Sequence, residues 1–178
     1  NSNFTENYAT NGGGMFITGS STEVSGSKFE KNNATDGAGM YITGNNTKVL
    51  SGSDFIENNA TNGAGMYIDG MNTLVSGSRF EKNNASNNGA GMYISGNNTN
   101  VTDNSDFIEN YAYNGAGMYI DGMNTLVSGS KFEKNNATQN GGGMYISGNN
   151  TNITSKSNFT ENYAYNGAGV YIDGSNTS

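Results

Sequence analysis

The chain has 178 residues, 8 basic against 15 acidic side chains, a formal charge of −7, and no Cys, His, Trp or Pro. These figures exclude a disulfide framework and a thiolate metal site, and with so few, scattered Lys and Arg they exclude a nucleic-acid surface or an anionic membrane as partner. Leu, Ile, Val and Phe make up only about 15% of the chain, too little for an ordinary compact core, yet charge is too sparse for the composition of most disordered chains. No apolar run reaches the roughly 18 residues of a membrane-spanning helix, so no direct membrane insertion is expected. A start at Asn1 with neither Met nor a signal peptide reads as a processed product or an excised fragment.

The stretch NNATDGAGMYITGNNT (32–47) holds the key, because close copies of it recur along the whole chain. In chain order the first marker is Phe-x-x-Asn, at Phe4, Phe29, Phe55, Phe80, Phe107, Phe132 and Phe159. The second is Met15, Met40, Met66, Met92, Met118 and Met144, with Val170 in the seventh place; the step is 25 residues once and 26 thereafter. Within one unit, apolar residues alternate in short runs: Ala38, Met40 and Ile42, then Thr47 and Val49, then Ser53 and Phe55. Period-two runs separated by Gly, Asn and Asp clusters predict strands joined by turns. Three short strands per unit of about 26 residues predict an all-β fold: a single-stranded parallel β-helix of about seven coils, a single domain over 1–178.

Stacking coil on coil puts like on like about 4.8 Å apart. Met40, Met66, Met92, Met118 and Met144 are expected inward, and the Thr file from Thr22 through Thr47, Thr73, Thr99, Thr125 and Thr151 to Thr177 shares the inward parity of Val24 and Val49. Asn32, Asn58, Asn83 and Asn110 are expected to form an amide ladder at a corner. Two residues after each Phe stand Glu6, Lys31, Glu57, Lys82, Glu109, Lys134 and Glu161, a strict alternation of sign. One residue before each Phe, Lys28, Asp54, Arg79, Asp106 and Lys131 alternate as well. Opposite charges on neighbouring strands are favourable, so Lys82 is expected between Glu57 and Glu109, and Arg79 between Asp54 and Asp106.

Phe-x-x-Asn followed by a small-residue run and then Met-Tyr-Ile, as in FIENNATNGAGMYI (55–68), resembles the repeat of chlamydial polymorphic outer-membrane proteins and of adhesin-like surface proteins of methanogenic archaea. Here Ala64 and Gly65 fall in the other order from that family's Gly-Gly-Ala. The resemblance implies a right-handed parallel β-helix of the pectin-lyase-like class on an extracellular or cell-surface protein with a structural or adhesive role.

One file of aromatics, Phe16, Tyr41, Tyr67, Tyr93, Tyr119, Tyr145 and Tyr171, follows the inward Met and is expected to face outward as a contact strip. Three readings apply to it: mutual stacking that stabilises the strand surface, docking of a protein, or stacking on sugar rings. Asp69, Asp121 and Asp173 recur on alternate coils with Ser95 and Ser147 between them. A catalytic site needs a unique constellation, and these positions only repeat, so no catalytic residue is expected. The Gly/Asp spacing does not match a calcium-binding β-roll, so neither metal nor cofactor is expected. N-glycosylation sequons stand at Asn3, Asn33, Asn45, Asn59, Asn84, Asn97, Asn100, Asn136, Asn149, Asn152, Asn158 and Asn176, which would matter in an exported glycoprotein. The expected partners are neighbouring coils of the parent chain, other copies, or a cell-surface protein or glycan. For the open ends, a further coil of the FEKN type in the same parent chain is expected rather than a fibre of separate copies, because direct stacking would set Glu161 against Glu6.

Overall fold

Short alternating runs punctuated by Gly and Asn can form only brief strands, and the chain winds them into a parallel β-solenoid. The computed structural model describes residues 1–154 and 156–178. A 7-stranded sheet, the Phe face, contains Asn3–Thr5, Lys28–Glu30, Asp54–Ile56, Arg79–Glu81, Asp106–Ile108, Lys131–Glu133 and Asn158–Thr160. A second 7-stranded sheet, the Met face, runs from Met15–Ile17 to Val170–Ile172, and a 6-stranded Val face runs from Glu23–Ser25 to Asn152–Thr154. Equivalent residues pair in parallel register: Phe80 with Phe55 and Phe107, Met92 with Met66 and Met118, Val75 with Val49 and Val101.

Two expectations need correction. Among the described residues the solenoid makes about 6 complete turns, since the Val face has one rung fewer than the other two. Internal turns also contain a fourth strand. This Asn face is a 4-stranded sheet of Asn59–Asn62, Asn84–Asn88, Tyr111–Asn114 and Asn136–Asn140, prolonged by bridges Tyr8↔Asn33, Asn33↔Asn59 and Asn136↔Tyr163. Its only inward side chains are alanines, Ala60, Ala85, Ala112 and Ala137, which form their own buried cluster with Ala64, Ala90 and Ala116. An Ala between Asn and Thr carries almost no hydrophobic signal, so the sequence there resembles a loop.

The main core is a set of columns. Met40, Met66, Met92, Met118 and Met144 are fully buried, as their parity predicts, together with the internal members of the Ile, Val and Phe columns. Successive Phe rings stack with centroids 4.7–4.8 Å apart and planes within 3–5°. There is no room for a side chain at Gly65, where an added Cβ would lie 2.5 Å from the Gly91 carbonyl oxygen of the next rung and 2.9 Å from Phe80 Cδ1. This is why the Gly adjoining Met is kept while its neighbour can be Ala.

Inside the corner after the Phe face runs the expected amide ladder, longer than the four residues singled out. Asn7 Nδ2 donates to Asn32 Oδ1, Asn32 to Asn58, Asn58 to Asn83, Asn83 to Asn110, Asn110 to Asn135 and Asn135 to Asn162, all at 2.9–3.0 Å. Each amide also serves the main chain: Asn83 Oδ1 accepts from Asn58 N–H at 3.1 Å, and Asn83 Nδ2 donates to Phe55 O at 2.9 Å. In the inward Thr file, the Oγ1 atoms of Thr47, Thr73 and Thr99 donate to the carbonyls of Gly44, Gly70 and Gly96 at 3.1–3.4 Å, whereas the buried hydroxyls of Thr125, Thr151 and Thr177 have no partner among the described residues. The amide ladder thus satisfies its buried polar groups locally, and a core this poor in aliphatic residues holds together.

The corner preceding each ladder Asn is the charge column itself. Glu6, Lys31, Glu57, Lys82, Glu109, Lys134 and Glu161 all have φ of 52–56°, so each side chain leaves a left-handed turn pointing outward. Lys31 reaches Glu57, Lys82 reaches Glu109 and Lys134 reaches Glu161 of the following coil, each at 3.8 Å, while Lys82 and Lys134 also meet Glu81 and Glu133 of their own coil at 3.5 and 3.7 Å. The other ladder is in the expected register, Arg79 pairing with Asp54 and Asp106 across strands. Its ion pairs run differently. Lys28 meets Glu30 at 2.9 Å, Arg79 meets Glu81 and Lys131 meets Glu133, along the strand. Residues two apart share a face, and the longer Glu reaches the cation where the short Asp of the next rung does not. Since Lys82 is about half exposed, Lys82→Glu is expected to cost at most about 1 kcal/mol at low salt and far less in 1 M salt. Thermal melts at two ionic strengths check this.

Candidate functional site

The expected contact strip lies on the outer side of the Met face, but its tyrosines are largely buried, and only Phe16, 49% exposed, is open to about half its area. Tyr67 and Tyr93 stack at 4.6 Å, Tyr93 and Tyr119 at 5.0 Å, Tyr119 and Tyr145 at 4.7 Å, and Tyr145 and Tyr171 at 5.0 Å. Tyr41 is tilted 42–43° against Phe16 and Tyr67. The ring faces are therefore covered by one another, and the edges and hydroxyls face outward. Sugar stacking needs a free ring face, so the geometry favours mutual stabilisation along this file.

Beside the strip, Ser95 Oγ donates to Asp69 Oδ1 at 3.0 Å and Ser147 Oγ to Asp121 Oδ1 at 2.9 Å. The aspartates thus sit in a hydroxyl-carboxylate ladder of the same repeating kind. Burial raises the phenol pKa values of Tyr67, Tyr93 and Tyr119 above the ordinary value of 10.0, and the neighbouring carboxylates add to the shift. A Tyr whose folded pKa is raised contributes stability that is present below its unfolded pKa and lost as pH rises through the folded one. Stability is accordingly expected to hold up to about pH 10 and fall above it. Absorbance titration of phenolate should show ionisation of these rings lagging that of denatured protein; coincident curves would contradict the stacked arrangement.

The more exposed aromatics lie on the Asn face. Tyr8, Tyr111, Tyr113, Tyr163 and Tyr165 are 83%, 44%, 47%, 66% and 78% exposed. Tyr111 and Tyr113 flank Ala112 just as Asn59 and Thr61 flank Ala60, so two outward files cross the face, mostly Asn in one and Thr or Ser in the other, with Tyr on certain rungs. The signal was present in sequence as the alternation NYAT and NYAY, with a small residue between two large or polar ones. An outward hydroxyl file, Thr35, Thr61, Ser86 and Thr138, thus exists besides the inward Thr column. Tyr113 breaks it. Met71 and Met123, 45% and 44% exposed, were also missed; they mark the corner between the Met and Val faces.

The sequons divide by position. Asn33, Asn59, Asn84 and Asn136 stand exposed on the Asn face, each with an exposed hydroxyl residue two positions on. Asn84 Nδ2 donates to Asn59 Oδ1 at 2.9 Å, so neighbouring rungs lie too close for a glycan on each. Asn45, Asn97 and Asn149 instead accept main-chain N–H groups of Met71, Met123 and Ser175 at 2.8–2.9 Å, and their sequon hydroxyls Thr47, Thr99 and Thr151 are buried. Asn3, Asn100, Asn152, Asn158 and Asn176 are exposed.

A family model described as a right-handed beta helix region matches residues 1–128. No curated protein and no solved structure is found to match the chain.

Proposed function

This chain belongs to the right-handed β-helix family, and on that premise we propose that it is a non-enzymatic structural or adhesion module of the extracellular surface. It is a rigid solenoid spacer of the adhesin-like kind, its partners being adjoining coils of its parent, further copies, or a surface protein or glycan. The observation that carries this reading is the column-by-column repetition of the outer faces, for instance the stacked Tyr67, Tyr93, Tyr119 and Tyr145. A surface that offers the same chemistry at every rung suits repeated weak contacts along its length, whose effective affinity multiplies. It suits less well a reaction that needs one unique arrangement of groups. Antibodies raised against this segment are expected to label intact source cells; labelling that requires permeabilisation would overturn the reading.

A second reading is favoured by one observation, the exposed tyrosines on the Asn face. Carbohydrate binding there would use Tyr111, Tyr113, Tyr163 and Tyr165 in place of the stacked strip. Co-sedimentation with insoluble polysaccharides, lost in Tyr113→Ala combined with Tyr165→Ala and retained in Tyr93→Ala, would support it. Binding unaffected by the double substitution would sink it.

A further inference from the structure

One rung of the Asn face differs from the rest in what stands on either side of it. Tyr111 and Tyr113 lie on the rung before Asn136–Asn140, and Tyr163 and Tyr165 on the rung after it, while the rung itself carries Asn136 and Thr138 in the same two outward files. Among the described residues no other rung of this face has aromatic residues on both sides. We propose that the gap is a binding slot for one neutral pyranose ring of a glycan, held between the two pairs of tyrosines. The inference rests on the carbohydrate reading of the Asn face and gives it a site and a ligand class.

The width of the slot selects the guest. Neighbouring rungs lie about 4.8 Å apart, so its two walls stand about 9.6 Å apart with no ring between them. The Met face shows the closed alternative: an aromatic on every rung, as in Tyr67, Tyr93 and Tyr119 at 4.6 and 5.0 Å, leaves no space for a guest. A flat aromatic guest midway in the slot would lie about 4.8 Å from each wall, beyond the roughly 3.5–4.0 Å of carbon–carbon contact, and would forfeit part of the attraction on both sides. A pyranose chair is thicker, because C–H bonds project from both sides of its mean plane, and it fills that width. The spacing thus favours a saturated ring over a nucleobase or an aromatic side chain.

The floor of the slot supplies the polar contacts. Asn136–Asn140 has 5 residues against the 4 of Tyr111–Asn114, and the register shifts between Ala112 and Asn114, so Thr138 and Gln139 together oppose Tyr113. Such a bulge re-aims side chains and is common beside functional sites. Asn136 and Thr138 are exposed and Gln139 is half-buried, and none of the three side chains has a hydrogen-bond partner among the described residues, whereas Asn135 and Asn140 beside them are bonded in their ladders. Two amides and a hydroxyl offer both donors and acceptors to sugar hydroxyls. The nearest charges are Glu109, Lys134 and Glu161 at the preceding corner, where Lys134 is already engaged by Glu161 at 3.8 Å. With no free cation there and a net charge of −7 on the chain, a neutral sugar is favoured over a uronic or sulfated one.

The test titrates the unglycosylated chain with soluble hexasaccharides of glucose, of mannose and of N-acetylglucosamine by isothermal titration calorimetry. Thr138→Tyr places a ring on the middle rung and turns the gap into a continuous stack like that of the Met face, so the slot closes while the fold is kept; Asn136→Tyr closes it in the other file. Circular dichroism melts check that each variant is folded. At least one hexasaccharide is expected to bind, with affinity at least about tenfold weaker in either variant. Thr61→Tyr, the equivalent change on a rung with no tyrosine beside it, is expected to leave the affinity unchanged. Binding that both slot-closing variants leave intact, but that Tyr113→Ala combined with Tyr165→Ala abolishes, would overturn the slot and leave carbohydrate binding by the face standing. No binding of any hexasaccharide at millimolar concentration, with co-sedimentation on insoluble polysaccharide retained, would also overturn the slot alone. Absence of both would remove the carbohydrate reading with it.

Discussion

Met92→Asp is expected to leave the middle of the solenoid unfolded near neutral pH, the most damaging single change considered. Met92 is fully buried and stacked between Met66 and Met118, so a carboxylate there would have neither water nor a cation. The effective penalty for an unpaired buried ion is several kcal/mol, comparable to the roughly 5–15 kcal/mol that holds a typical domain together. The Asp would take up a proton instead, which makes the defect milder at low pH. A solenoid adds a second loss. Each turn is stabilised chiefly by its neighbours, so a broken central turn uncouples the turns on either side. Met92→Leu keeps the volume and should cost under about 1.5 kcal/mol. Circular dichroism melts of the two variants decide the matter. A Met92→Asp protein melting within a few degrees of wild type would place that column outside the core.

Residues with one role at every turn were legible before any coordinates. Phe80, Met92 and Val101 repeat at fixed spacing and differ in character from their neighbours, so period and parity together put them inside. Asn83 was legible as a ladder because Phe-x-x-Asn never varies. The Asn face was not, because its inward residue is Ala85 and its outward residues Asn84 and Ser86 have the composition of a turn. What makes it a strand is the rung on either side, and that contact is 25–27 residues away in sequence. Partner choice in the charge ladders was also hidden. Spacing places Arg79 between Asp54 and Asp106, but reach decides that its guanidinium meets Glu81. The stacked strip shows the same limit: parity correctly sends Tyr93 outward, while the closing of its faces by Tyr67 and Tyr119 depends on ring orientation.

Asn110→Ala is expected to cost about 3–6 kcal/mol, because a fully buried amide is removed and its partners stay behind. Asn110 Oδ1 accepts from Asn83 N–H and Asn83 Nδ2, both at 3.0 Å, and Asn110 Nδ2 donates to Phe80 O and Asn135 Oδ1, both at 2.9 Å. Alanine leaves the Asn83 N–H without a partner in a dry corner and strips the Phe80 carbonyl of its side-chain donor, leaving it only the parallel ladder to the next strand, whereas Asn135 Oδ1 keeps the Asn110 main-chain N–H at 3.1 Å. Asn110→Asp separates the two halves of the amide. Its carboxylate still accepts from Asn83 but confronts Phe80 O and Asn135 Oδ1 where a donor stood, so its folded pKa should rise above the unfolded value of about 3.9. Stability attached to a raised pKa is present below the unfolded value and lost as pH rises through the folded one. The Asp variant should therefore approach wild type near pH 3 and fall away from it toward pH 7, while the Ala variant stays low at both. Asn84→Ala removes a hydrogen bond of the same length, Asn84 Nδ2 to Asn59 Oδ1 at 2.9 Å, from an exposed face. Water replaces that partner, and the cost should be within about 0.5 kcal/mol. Urea titrations of the three variants at both pH values distinguish the cases. Equal small losses for Asn110→Ala and Asn84→Ala would mean that the buried ladder is wet, and that the column of amides does not carry the corner.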